Sequence, residues 1–160
     1  MSSAYSSVPQ VIDYLYSAIK TAVGARADTV VADGYPGTAE LPDIVAIGGT
    51  TTPVADSEQT AVSLGAKRIE ELWELTITIS SWRGGSSNDP ANGEKQARDA
   101  AFSLYDLVIG AIAADLSLGG NCLWALPLKL AVQGTNAETA AAGVTVDLAF
   151  NLRVKAQFLL

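Results

Sequence analysis

VTVDLAFNLRVKAQF, residues 144–158, alternates apolar and polar side chains, with Ala149 the one apolar residue in the polar phase. Val144, Val146, Leu148, Phe150, Leu152, Val154, Ala156 and Phe158 share one phase, with Thr145, Asp147, Ala149, Asn151, Arg153, Lys155 and Gln157 on the other. A period of two puts successive side chains on opposite faces of a strand, one face dry and one wet. Fully extended, such a run reaches ~50 Å, against the usual strand of about five or six residues. Part of it is therefore expected to reach beyond its own sheet.

The preceding apolar run fits the same unit. Trp124, Leu126, Leu128, Leu130 and Val132 fall in one phase, and Pro127 on the other phase suggests an edge strand or a bulge. GTNAETAAAG, residues 134–143, supplies the turn of a long C-terminal hairpin, 123–158. Farther upstream, Ile69, Trp73, Leu75, Ile77 and Ile79 alternate with Glu70, Glu74, Thr76, Thr78 and Ser80, with Glu71 and Leu72 out of pattern near the start. That is a third long strand, from Arg68.

Two segments have helical period. Val8, Val11, Ile12, Leu15, Ile19 and Val23 recur at three- and four-residue steps, with Ser7 placed to cap, Pro9 in the first turn and Gly24 as the stop. Ala97, Ala101, Leu104, Tyr105, Val108, Ala111 and Ile112 form the stripe of a second helix, opened by Glu94 and ended by Gly119 and Gly120. Between the first helix and the third long strand lie two short β-branched runs, Thr29 to Ala32 and Ile44 to Ile47, flanking DG and PG turn signals; they read as a hairpin or two neighbouring strands. Gly48 to Lys67 is small, polar and weakly patterned, a long surface loop, and RGGSSNDPANG, residues 83–93, is a second loop. The order predicts a single α+β domain over 1–160: a two-layer sandwich, mostly antiparallel sheet, with both helices on one face.

Composition narrows the chemistry. The chain has 160 residues, no histidine, one cysteine and a formal charge of -7, with hydrophobic residues at 49% and charged residues at 17%. Without histidine the commonest general base and the commonest metal ligand are both missing. A net negative chain repels phosphate backbones, which disfavours tight nucleic-acid binding but suits a wall past which DNA slides. Cys122 cannot form an internal disulfide and reads as a small buried hydrophobe. MSSAYSSVPQ lacks the pattern of a signal peptide, and no apolar run approaches the ~20 residues of a membrane helix. Phosphate-loop, Rossmann, H-E-x-x-H and G-x-S-x-G motifs are all missing.

Candidate sites are correspondingly few. Glu70, Glu71 and Glu74 suit acid–base work or a divalent cation, with a solvated strand edge the preferred reading; Asp28, Asp33 and Asp43 fall at turns. No catalytic, cofactor or metal residue is assigned. Trp73 and Trp124 fall in the dry phase and are expected in the core. Trp82 falls in the polar phase beside Arg83 and the glycine loop, a pairing enriched among interface anchors. Trp82 and Arg83, with Asn88 and Asp89 of the loop, are the candidate partner contact. Arg153 and Lys155 project from the polar face, where they could pair with acidic residues of a neighbour.

The arrangement resembles the tail terminator proteins of long-tailed bacteriophages. The likeness rests on VPQVIDYLYSAI, LPDIVAIG, EELWELTITISSW, ARDAAFSLYDLVIGAIAADLSLGG and VTVDLAFNLRVKAQ, in order along nearly the whole chain. It implies a non-enzymatic virion protein at the tail–neck junction, assembled in the host cytoplasm without a cofactor. Six copies would ring a DNA channel, stacked on the tail tube protein and presenting the other side to a head-closure protein. The loops 48–67 and 83–93 become candidates for ring or axial contacts, and an acidic lumen would keep DNA mobile. Another head–tail connector or the tube subunit itself is the near alternative. A small ligand-binding or hydrolytic domain using the glutamates and Cys122 is the distant one.

Overall fold

A computed structural model describes residues 5–24, 26, 28–37, 42–48, 55–61, 68–84, 90–136 and 143–159. The element order is α1 (Val8–Val23), β1 (Thr29–Gly34), β2 (Asp43–Gly48), β3 (Ala55–Ala61), β4 (Arg68–Arg83), α2 (Pro90–Ala114), β5 (Trp124–Asn136) and β6 (Val144–Leu159). The strands form one six-stranded sheet in the order β1-β2-β4-β6-β5, with β3 also paired to β4. All pairings are antiparallel except β1 with β2. This is the two-layer α+β fold that the alternation and the helical stripes predict, including the β5–β6 hairpin.

Both helices cover the same face. Val11, Leu15, Ile19 and Val23 of α1 and Ala97, Ala101, Leu104, Val108 and Ile112 of α2 share one buried cluster with Val45, Ile47, Trp73, Leu75, Ile77, Ile79, Leu148, Phe150, Leu152 and Val154. Burial alternates strictly along β4 and β6, as the sequence pattern requires. Tyr105 of α2 meets the Phe150 ring edge to face at 5.5 Å, a geometry that aligns ring edge and ring face favourably.

Registers run in rows across the sheet. Val31, Val45, Ile79, Leu148 and Val132 form one row on the helix side of the sheet, and Ala32, Ala46, Thr78, Ala149 and Ala131 form the next row on the open face. β1 and the distal part of β5 therefore stand at the same level on opposite edges.

Three expectations change, and one open alternative is decided. β6 does not outrun its sheet: β4 is equally long, and the two pair from Arg68↔Leu159 to Arg83↔Val144. The expected loop 48–67 contains β3, paired from Ala55↔Leu75 to Ala61↔Ile69 along the edge of β4 that the short β2 leaves free. Its sequence, ADSEQTA, carries no apolar alternation because its visible side chains are solvent-facing. The β1–β2 pair is parallel, so the two runs are neighbours and not a hairpin. Finally, α2 starts at Pro90 and ends at Ala114, earlier at both ends than Glu94 and Gly119 suggest. Proline at the first helical position loses no bond. At the other end the Asp115 carboxylate accepts from the Ser117 hydroxyl at 2.6 Å, the Ser117 N–H at 3.0 Å and the Gly119 N–H at 2.8 Å, turning the chain. Those bonds, the Ser117 hydroxyl first, hold the Asp115 carboxyl below the usual carboxylate range.

Candidate subunit interface

With both helices on one side, the other face of the sheet has no covering layer among the described residues. It divides into two halves. Toward β3 it is charged: Arg153 pairs with Glu74 at 3.2 Å and Lys155 with Glu70 at 3.1 Å, around a shallow depression of about 410 Å³ that Trp124 and Glu58 also line. Toward β1 its side chains are mostly small: Ala46, Thr78, Ala149 and Ala131 floor a second depression of about 430 Å³, with Asp147 the one charged residue that lines it and Tyr35 and Pro36 also in its wall.

Arg153 and Lys155 thus find their acids within the chain, on β4. Glu74 lies directly opposite Arg153, and Glu70 sits diagonally from Lys155. Such half-exposed cross-strand pairs contribute about 0.2–1 kcal/mol each and set register more than stability. Trp73 is buried at 1% exposure, as expected. Trp124 is not in the core: Ala125 takes the helix-facing position and Trp124 lies half-buried on the open face. The cause is positional. The row on an edge strand shows amphipathy without showing which face is covered, and here the register with β6 sets Trp124 opposite Lys155 on the side away from the helices.

Trp82 is 45% exposed on the open face, and its indole lies against Gly84 and Gly143, where a Cβ would meet the ring at 2.1 and 2.6 Å. Glycine at both positions is what lets the ring lie down. Arg83, expected on an exposed rim, is instead locked: its two terminal nitrogens donate to the Asp43 carboxylate at 2.7 and 3.1 Å, and Nη1 also reaches the Trp82 carbonyl at 2.7 Å. The bond to Asp43 holds the guanidinium pKa above its ordinary value. Asn88 and Asp89 lie outside the described residues.

Edge strand β5 is protected unevenly. Near its start the Ala125 N–H, pointing away from β6, donates to the Leu116 carbonyl at 2.8 Å. Pro127, next in that phase, has no N–H to offer. A bulge follows at Lys129–Leu130, with Lys129 at φ 52, and bulges and lysines are devices that discourage edge pairing. Ala131 to Gly134 have none of these, and all of them are exposed. Val132 is 51% exposed, so the unguarded segment presents an apolar side chain, next to Leu130 of the bulge at 40%.

The sequence matches no protein-family model and no curated protein. Among solved structures, a chain of the virion of a native gene transfer agent particle aligns with 95% of this chain and 99% of its own length. The identity is 14% and the TM-score 0.43.

The residues weighed for chemistry are committed elsewhere. Glu71, read as part of a solvated edge, is fully buried beneath the start of α1. Its carboxylate accepts from the Ser7 N–H, the Ser7 hydroxyl and the Ser6 hydroxyl, each at 2.7 Å, and from the Gln59 amide at 3.3 Å. Ser7 accordingly does not cap α1 with its own side chain; its hydroxyl also accepts from the Trp73 indole at 2.8 Å. Glu71 does the capping from a distant strand, where a negative charge suits the helix N-terminus. One signal was present: Glu71 shares the phase of Trp73 and Leu75, so an acid sits where the pattern demands an apolar residue. Among the described residues no group of three potential ligands suits a metal ion, and no helix there is long and apolar enough to cross a membrane.

Cys122 is buried, as its apolar reading expects, and burial followed by the nearby Asp115 charge pushes its thiol up to about 11. Thiolate is the reactive form. Folded protein is expected to react negligibly with a thiol reagent at pH 8, and fast only after denaturation or near pH 11; rapid labelling of the native state at pH 8 contradicts that burial. The folded state holds this proton more tightly than the unfolded chain. Its stabilising contribution is therefore complete below pH 9 and disappears as pH rises toward about 11.

Proposed function

We propose that this chain is a structural subunit of a phage-type virion, forming a ring at the head-proximal end of a tail tube. The ring ends tube polymerisation and joins tail to neck, with six copies around a channel through which DNA passes unbound. One observation carries the reading: among the described residues, a whole sheet face is left uncovered, together with an unguarded stretch of strand edge at residues 131–134. Surfaces of this kind suit other subunits better than solvent. The glutamates and the cysteine that a hydrolase would use are taken up by ion pairs, by helix capping and by burial. The resemblance of the sequence to tail terminators, along nearly the whole chain, supports the reading. In this reading the neighbours are further copies, the tail tube protein and a head-closure protein.

The experiment is electron microscopy with light scattering on the purified chain, alone and mixed with tubes assembled from the tail tube protein. A terminator gives single rings, or monomers that become rings at tube ends, and stops tube growth. Long stacked tubes from the chain alone would assign it as a tube subunit instead. A monomer that leaves tube length unchanged would remove the terminator reading.

A further inference from the structure

We infer that copies of this chain join edge to edge, the distal segment of β5 in one copy adding to β1 of the next, so that the sheet continues from subunit to subunit. The inference takes from the preceding reading only that copies assemble side by side. Among the described residues, β1 and β5 are the two ends of the strand order, each bonded on one side. Strand direction decides the pairing type. β1 is parallel to β2 and so opposed to β4, whereas β5 opposes β6 and so runs with β4. Neighbours in the same orientation therefore bring β5 and β1 together antiparallel, the more stable geometry.

Register follows from the rows already described. Extending them into the next copy sets Ala131 opposite Ala32 and Val132 opposite Val31. Val132 lies on the helix side of the sheet but is half exposed, because the helices do not reach it; the neighbour's Val31 would lie beside it. One row farther, Asp33 falls opposite the bulge that carries Lys129. Both are exposed, and among the described residues neither side chain makes a hydrogen bond or ion pair. Complementary charges on the two free edges, brought into register by the same extension, point to a second copy as the occupant. A contact between two different edges is heterologous, and closes into a ring when the rotation permits.

Directly opposed residues of an antiparallel pair have Cα atoms about 4.5–5.5 Å apart, within disulfide reach. Inside one chain the same two positions are separated by four strand spacings, ~19 Å. Oxidising the full chain carrying V31C and V132C together should give a ladder of covalent multimers on a non-reducing gel. Either single substitution should give no ladder. Oxidation traps brief contacts, so a weakly associating chain is scored too. Monomer alone, with both introduced thiols open to maleimide, overturns the inference. So does protection of the amides of 131–134 by added tube protein without any ladder, which assigns the edge to that partner.

Exposed Lys129 and Asp33 provide a second measurement that leaves the fold alone. K129E or D33K should each weaken self-association about fivefold and the double reversal should restore it, since opposed charges on paired strands attract and like charges repel. No recovery in the double variant also overturns the pairing. A ladder from protein that leaves tubes uncapped keeps edge pairing and discards the terminator role. Capped tubes without a ladder do the reverse.

Discussion

Replacing Glu71 by alanine is expected to lower stability by about 3 kcal/mol, a melting-temperature loss of roughly 6–12 °C in a chain of this size. Three short bonds end on the carboxylate, from the Ser7 N–H, the Ser7 hydroxyl and the Ser6 hydroxyl. Without it the buried Ser7 N–H loses its acceptor, at about 1–3 kcal/mol for an orphaned buried donor. The start of α1 also loses the charge facing its dipole, worth up to about 2 kcal/mol in a partly buried site. Relief from burying a carboxylate offsets part of the sum. Neighbouring glutamates provide the control. Glu70 and Glu74 stand on the open face in half-exposed ion pairs, so alanine there should cost about 1 kcal/mol or less. Thermal unfolding of the three single variants decides: equal losses would mean that Glu71 does not cap α1. Near-ultraviolet dichroism adds a local readout, because the Trp73 indole donates to the same Ser7 hydroxyl.

Glu71 also marks where sequence reading stops working. Periodicity is a statement about one element and its two faces, so the layers, both helices and the long strands could be read wherever one face is covered by helices. Leu148, Phe150 and Leu152 in β6 have that clarity, and the structure buries all of them. Edge strands do not. β5 has an apolar row, but which face of the sheet that row takes is decided by its register with β6, which no local pattern encodes; hence the misplacement of Trp124. β3 is a strand because β4 has a free edge to offer, and ADSEQTA has no pattern of its own to reveal it. The candidate contacts met the same limit. Arg83 and Asp43 are forty positions apart in sequence, and only the antiparallel pairing of β2 with β4 makes them neighbours.

That pairing supplies the other large expected effect. Arg83→Ala should destabilise the monomer by about 2–4 kcal/mol, below the upper range for a wholly buried pair because the arginine side chain is 28% exposed while Asp43 is only 7% exposed. The loss comes chiefly from Asp43, left as a buried carboxylate without its two donors. Removing both partners should therefore cost less than adding the two single losses, a positive coupling in a double-mutant cycle of Arg83→Ala and Asp43→Ala. The bond also closes the β2–β4 ladder where the Trp82 N–H donates to the Pro42 carbonyl at 2.8 Å, so hydrogen exchange at the Trp82 amide should rise first. An interface role for Arg83 makes the opposite prediction: a monomer of unchanged melting temperature that no longer associates. If urea unfolding of Arg83→Ala coincides with that of the parent chain, the arginine belongs to a partner contact, and the lock between β2 and β4 is not what holds that end of the sheet.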